Sequence, residues 1–273
     1  MKSSYKYFVF LGLLAFLAAC SSSSKNEALE YRAILSYEDN FDNLQDFWNI
    51  EEITDSTRIE ITEDPLNPEN NVLIMFMESE DWNAGGKRNE IKVNYDFTFN
   101  NDDILSEYSI DFLIPAEFFN DKTAVDWLMI HQWHDKPPLN TSWEDYTIGS
   151  KPPVNLFIHV NPSGQHKIVY NYGLWSNDIY EVQSFEFEEP LEADTWYSFE
   201  NTIKWSLEED GYSIPKLNGQ YLYSENSEGK IQARNCFNDQ GNYFKMGLYG
   251  YYDNLDNPVI YFDNFDYTLY RKE

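Results

Sequence analysis

The chain has 273 residues, and its 47 Asp and Glu outnumber 19 Lys and Arg, giving a formal net charge of −28 at pH 7. Such a molecule repels nucleic acid and anionic bilayers as a whole, so a polyanionic partner must be met by a local cationic patch. Hydrophobic residues at 42% and aromatics at 18% exclude disorder and supply a sizeable core, and two cysteines exclude a disulfide scaffold.

In chain order, Lys2 and Lys6 precede an apolar run from Tyr7 to Phe16, followed by Leu17-Ala18-Ala19-Cys20. The run is too short to span a bilayer comfortably, and its layout is that of an export signal. Small residues leading to a cysteine resemble a bacterial lipobox, so Cys20 is expected to be the lipidated first residue of the mature chain. An ordinary signal peptide with a chance cysteine is the alternative. Removing residues 1–19 takes away two lysines and no acid, leaving a formal charge of −30. The expected organisation is a signal peptide over 1–20, a flexible tether over 21–34 and a single domain over 35–273. With Cys20 acylated, Cys236 is the remaining thiol and is expected to be buried rather than reactive.

From about Glu30 onward, short alternating segments are separated by turn clusters, with no long 3.6-residue periodicity. Tyr108–Ile114, Asn155–Val160 and Tyr197–Trp205 have the length and the aromatic and β-branched content of strands. Asn161-Pro-Ser-Gly164, Leu217-Asn-Gly219 and Asn254-Leu-Asp-Asn-Pro258 read as turns. Strands at this spacing without intervening helices predict an all-β, two-sheet sandwich or jelly roll.

Three stretches carry the candidate chemistry. In Lys87-Arg-Asn-Glu-Ile-Lys92, a strand puts Arg88, Glu90 and Lys92 on one face and Asn89 and Ile91 on the other. This is a cationic site held by an acid, or else a solvated edge strand with a charge ladder. In Leu128-Met-Ile-His-Gln-Trp-His-Asp135, alternation places Gln132 and His134 with Leu128 and Ile130, and His131 and Trp133 opposite. An imidazole beside a carboxamide can take a proton and hold a carboxylate, unless the histidine is a core residue. Zinc fits poorly, because a strand sends His131 and His134 to opposite faces and no third ligand follows. In Asn242–Tyr251, Phe244, Met246 and Leu248 form an apolar face, and Tyr243, Lys245, Gly247, Tyr249 and Tyr251 form the other. Gly247 is expected to leave a gap where a ligand approaches the backbone. Rings to stack on pyranoses and cations to meet carboxylates suit a sugar groove; a solvent-exposed Tyr-rich strand is the plainer alternative.

If these faces line one concave sheet, Arg88, Gln132, His134, Lys245 and Tyr249 suit β-elimination of a uronic-acid polymer. That reaction needs the C6 carboxylate neutralised, a base for the C5 proton and an acid for the leaving O4. Arg88 and Gln132 would bind the carboxylate, and His134 would neutralise it further or act as base. Tyr249 would act as acid, or as base and acid in turn. A phenol titrates near pH 10 unperturbed, so a base role calls on neighbouring Lys245 and Arg88.

The Arg-x-Glu-Ile segment, the Gln-x-His segment and Tyr243-Phe-Lys-Met-Gly-Leu-Tyr249 resemble the three motifs of the jelly-roll polysaccharide lyases. Ile130–His134, Trp196 to Trp205, Leu217-Asn-Gly219 and Ile260-Tyr-Phe-Asp-Asn264 resemble the glucuronan lyase and heparin lyase I side of that group. The similarity spans roughly residues 36 to 271. It implies a catalytic set of Arg88, Gln132, His134 and Tyr249, with Lys245 helping to bind substrate; Tyr243, Lys92, Tyr251 and Glu90, on the same three stretches, are expected around the substrate as well. Lys92 stands where alginate lyases usually carry a second arginine, and Tyr251 where they commonly have Gln, which favours a glucuronate polymer. Elimination requires no cofactor. Folds of this type often carry a structural calcium, for which Glu38-Asp-Asn40 and Asp263-Asn264 offer oxygen ligands.

The expected partners are an acidic polysaccharide and, through the lipid alone, a membrane; no nucleic acid is expected, and the domain is expected to be a monomer in the bacterial cell envelope, periplasmic or at the outer membrane. A glycan-binding surface lipoprotein without activity is the alternative, and it would have no need of the set His134, Tyr249 and Arg88. A retaining β-glucanase needs paired carboxylates on one strand, and no convincing strand offers them.

Overall fold

The computed structural model describes residues 31–83, 86–93, 103–120, 127–146, 152–175, 180–223, 228–250 and 257–273. Cys20, Tyr251 and most of the Asn254–Pro258 turn lie outside the described residues. In chain order the strands are β1 (Tyr31–Asp39), β2 (Trp48–Glu52), β3 (Ile59–Asp64), β4 (Asn67–Phe76), β5 (Trp82–Asn83), β6 (Gly86–Val93), β7 (Ile104–Ile114) and β8 (Leu128–Asp135). They continue with β9 (Val154–Val160), β10 (His166–Tyr172), β11 (Gln183–Glu186), β12 (Thr195–Trp205), β13 (Tyr212–Leu217), β14 (Gln220–Tyr221), β15 (Ile231–Gln232), β16 (Asn242–Gly250) and β17 (Val259–Lys272). Among the described residues the one α-helix is α1 (Ala116–Asn120).

The strands form two antiparallel sheets. The first runs β14-β13-β12-β7-β17-β4-β3, with β1 on β17 and β15 on β13. The second runs β11-β10-β9-β8-β16-β6-β2, with β5 on β6. The chain crosses between sheets from β6 to β7, back to β8, and again from β11 to β12. This is the all-β sandwich that the alternating segments predict. The predicted strands fall within β7, β9 and β12, and along β12 the residues Tyr197, Phe199, Asn201, Ile203 and Trp205 are buried in strict alternation.

Two predicted turns form for identifiable reasons. Asn218 and Gly219 take φ of 50° and 74°, the positive pair that a tight β13–β14 hairpin requires. Asn161 closes the β9–β10 hairpin with its own carbonyl and side-chain oxygen, accepting from Gly164, Ser163 and Gln165 backbone N–H groups at 2.9–3.0 Å. The domain begins earlier than expected. Residues 31–34 belong to β1, paired to β17, and Leu35 and Tyr37 pack on the core. The exposed Arg32-Ala33-Ile34 start hides that strand in the sequence.

Aromatic rings join the two sheets. Trp133 of β8 lies 5.1 Å from Trp205 of β12 and 5.5 Å from Tyr267 of β17, and Phe244 of β16 stacks on Phe265 at 5.3 Å. Burying each such ring is worth roughly 1.5–3 kcal/mol, and the free face of the second sheet is thereby held as a firm floor.

Candidate active site

β6, β16 and β8 are neighbours, and their register decides which side chains meet. Arg88 opposes Tyr249, Glu90 opposes Gly247 and Lys92 opposes Lys245; on the other side of β16, Gln132 opposes Lys245 and His134 opposes Tyr243. Ile91, Val93, Phe244, Met246 and Leu248 turn inward to the core, so the three candidate stretches do share one sheet face. The alternation fails at one place. β8 shifts register against β9 between Met129 and His131, and β16 shifts against β8 between Met246 and Tyr249. A bulge there flips the parity, so Leu128 and Ile130 join the core and not the face of Gln132 and His134.

Gly247 serves this bulge. Its φ is 139°, and a Cβ would lie 2.2 Å from the Asn89 carbonyl oxygen, so glycine is required by backbone approach and not by a ligand. The expected gap at Gly247 is filled: Glu90 and Gln132, on the strands flanking β16, meet across it with the Gln132 Nε2 donating to Glu90 Oε1 at 2.5 Å. Gln132 has no exposed surface. It therefore acts from beneath, fixing the carboxylate that lies 3.6 Å from Arg88.

A residue with no signal in the sequence completes the cluster. Glu52, at the end of the edge strand β2, places one oxygen 2.5 Å from Lys245 Nζ and 3.3 Å from Arg88 Nη1. Burial would raise its pKa, but Lys245, Arg88 and Lys92 outweigh that and hold it below the usual carboxylate value. Among the described residues, Arg88, Lys92 and Lys245 share this face with the carboxylates of Glu52 and Glu90. Nothing in Asn49-Ile-Glu-Glu52 marks it as site-forming, since only the pairing of β2 with β6 brings it there.

Tyr249 stands beside this cluster. The Arg88 guanidinium carbon lies 3.9 Å from its ring centroid, and Trp127 meets the ring edge-on at 5.2 Å. The ring lies against Gly86, where a Cβ would come within 2.5 Å of the Tyr249 Cε2.

His134 belongs to a second group. Its ring is 5.8 Å from both Tyr243 and Trp143, and Nδ1 faces the Asp135 carbonyl at 3.0 Å and carboxylate at 3.1 Å. Both neighbours of Nδ1 are acceptors, so in the neutral ring the proton sits on Nδ1 and Nε2 carries the lone pair. The positions opposite His134 and opposite Arg88 are six residues apart on β16, about 20 Å of strand. The structure thus joins Arg88, Glu90, Gln132, Lys245 and Tyr249 but does not bring His134 beside Tyr249. Lys245 lies 5.4 Å from the Tyr243 ring and links the two groups. Burial pushes the Tyr243 phenol well up.

His131 is a core residue, fully buried among Tyr108, Phe199 and Phe244. Cys236 is buried, and burial raises its thiol pKa. The suggested calcium ligands are engaged elsewhere. Asp39 accepts from Phe41 N, Gln45 N and Trp48 Nε1, and Asp263 accepts from Asn70 Nδ2 and Asn264 N. Among the described residues no three acidic, His or Cys side chains are grouped to hold a metal ion.

In fold, the chain is similar to the endo-β-1,4-glucuronan lyase from the fungus Trichoderma reesei, at 14% identity and TM-score 0.63, over 87% of this chain and 95% of that one. It is also similar to alginate lyase Aly36B, at 13% and 0.54 over 87% and 96%, and to alginate lyase AlyC3, at 16% and 0.51 over 72% and 75%. At such identities the likeness establishes the jelly-roll fold. No curated protein matches the sequence. The family model for polysaccharide lyases matches residues 40–266, the whole span from the end of β1 to the last strand that carries the two sheets and the cationic cluster, and the chain belongs to that family.

Proposed function

We propose that this lyase cleaves a uronic-acid polysaccharide by β-elimination, with a glucuronate polymer such as glucuronan as its substrate. One observation carries the reading: Arg88 and Lys245 already converge on a single carboxylate oxygen, that of Glu52, at 3.3 and 2.5 Å. Two buried cations arranged around a carboxylate, with a phenol against one of them, are what the reaction needs. Neutralising the C6 carboxylate makes the C5 proton acidic; removing it forms the C4–C5 double bond as the C4–O4 bond breaks, and O4 takes a proton.

The distance between Tyr249 and His134 favours Tyr249 in both roles, taking the C5 proton and returning it to O4, a syn elimination. Gln132 and Glu90 hold Arg88 in place from below. Lys92 in place of a second arginine and the fold of the Trichoderma reesei enzyme support glucuronate over alginate. Residues 1–20 read as a lipoprotein signal, so the enzyme is proposed to act from the cell envelope, tethered through Cys20.

The test is ultraviolet absorbance during incubation of the mature chain with glucuronan, alginate, ulvan, heparin and heparan sulfate. Absorbance should rise with glucuronan, from the unsaturated uronate end. A rise with alginate alone would overturn the substrate, and no rise with any polymer would overturn the reaction.

A further inference from the structure

The two carboxylates of the cationic cluster are held in different ways. Glu90 is locked: its side chain is 2% exposed, and Gln132 Nε2 fixes its Oε1 from beneath at 2.5 Å. It lies 3.6 Å from Arg88 and 4.0 Å from Lys245, beyond the length of a charge-assisted hydrogen bond. Glu52 makes the close contacts instead, through one oxygen, Oε2, at 3.3 Å from Arg88 and 2.5 Å from Lys245. Its side chain is 19% exposed, and it ends the edge strand β2.

The backbone around Glu52 is anchored, which confines a displacement to the side chain. Ile53 N donates to the Ile50 carbonyl at 3.1 Å, and Thr54 N donates to Asn89 Oδ1 at 2.9 Å. Glu52 also lines an open cleft together with Lys92. Rotation of the side chain therefore carries the carboxylate away from Arg88 and Lys245 and toward water, with no core contact broken and with Lys92 still near enough to favour its charge.

The elimination needs this displacement. Arg88 and Lys245 cannot neutralise a C6 carboxylate while Glu52 Oε2 holds the position between them. Exchanging one carboxylate for another keeps both buried cations paired, so the exchange is far less costly than opening the pair without a replacement.

We infer that Glu52 is an internal competitor for the uronate position: in the free enzyme its carboxylate occupies the place that the substrate's carboxylate takes, and binding is an exchange of the two. After cleavage the exchange runs in reverse, with Glu52 returning to the pair as the product's carboxylate leaves. The inference rests on the elimination reading, which makes Arg88 and Lys245 the carboxylate-binding pair. Affinity for a uronate is then reduced to the fraction of molecules in which Glu52 has left the pair, so removing its charge should tighten binding even though it weakens the fold. If Glu52 only supports the two cations, removing its charge should loosen binding instead.

The first test is calorimetric binding of a glucuronan tetrasaccharide to the Tyr249→Phe chain, where turnover is blocked, with and without Glu52→Gln. The added substitution should tighten binding about tenfold; weaker binding, or the same measurable affinity, would overturn the inference. The second needs no polysaccharide and tolerates a destabilised variant. Acetate should raise the thermal midpoint of Glu52→Ala, by filling the vacated position, and acetamide should not; neither should raise that of the wild type. No difference between acetate and acetamide in Glu52→Ala would overturn the inference. Failure of the elimination reading is distinguishable: the wild-type chain would form no unsaturated product, or the tetrasaccharide would bind neither chain, and the acetate measurement would still decide whether a free carboxylate replaces Glu52.

Discussion

Loss of Glu52 would leave the Arg88 and Lys245 cations to share the more distant Glu90 carboxylate, 3.6 and 4.0 Å away. The Lys245 and Arg88 side chains are only 3% and 9% exposed, whereas that of Glu52 is 19% exposed. Removing one member of a buried ion pair costs about 3–5 kcal/mol, and partial solvation reduces this, so Glu52→Gln should lower stability by about 2 kcal/mol in urea unfolding at pH 7. The pKa of Glu52 is depressed in the folded chain, so its contribution is present above its unfolded value and fades as pH falls below it. The Glu52→Gln deficit should therefore shrink in acid; an undiminished deficit would contradict the ion-pair account. His131 has the opposite character, with both ring nitrogens buried and without hydrogen-bond partners. Burial lowers its pKa from 6.5 to about 3. Below pH 6.5 the unfolded chain takes up a proton that the folded chain refuses, so stability falls toward pH 3. His131→Leu should recover about 2 kcal/mol at pH 5 relative to its effect at pH 7.5. The same pH slope in both proteins would show that the imidazole is not the titrating group. Arg88, Glu90, Lys245 and Tyr249 were legible as residues because charge and aromatics stood out on strands. Glu52 and Trp143 were not, since contact across distant strands and loops leaves no local pattern.

The strand pattern revealed β6 and β16 almost completely, because each alternates without interruption on the side where they pair. It misplaced half of β8. A bulge adds one residue and reverses the parity beyond it, and an Ile-His pair carries no glycine or turn residue to announce it. At the β6 end, Gly86 leaves the room that the Tyr249 ring occupies. Gly86→Ala should push the ring off Arg88 and lower kcat at least tenfold while the thermal midpoint stays within a few degrees; full activity would show that the ring position does not matter. In the other sheet, Glu38 and Asp266 are register partners across β1 and β17. Partial burial, Glu38 and Glu107 raise the Asp266 pKa, so this repulsion operates at neutral pH and disappears once Asp266 is protonated. Because the site is solvated, Asp266→Asn should stabilise by only a few tenths of a kcal/mol at pH 7 and by nothing near pH 3. A destabilised variant at pH 7 would mean that Asp266 has a favourable partner instead.

At the scale of the molecule, the charge is divided in a way that composition cannot express. Glu38, Glu107, Asp111, Glu200 and Asp266 lie on strands of the first sheet, while Arg88, Lys92 and Lys245 share the free face of the second. A strongly acidic chain can thus meet a polyanion on one side, and the acidic side is turned away from it. The two-sheet architecture was legible from strand length and turn chemistry, because aromatic alternation and Asn-Gly turns act locally. Which stretches became neighbours was not, because sheet order is set by crossovers between layers. The central claim is that Tyr249, held against Arg88, performs the proton transfers. The most direct measurement is the initial rate of unsaturated-uronate formation by the wild-type chain and by Tyr249→Phe on the polymer that the wild type cleaves, with binding measured alongside. The account predicts a rate loss of at least about a hundredfold with tetrasaccharide affinity retained. A Tyr249→Phe rate within threefold of wild type would contradict it.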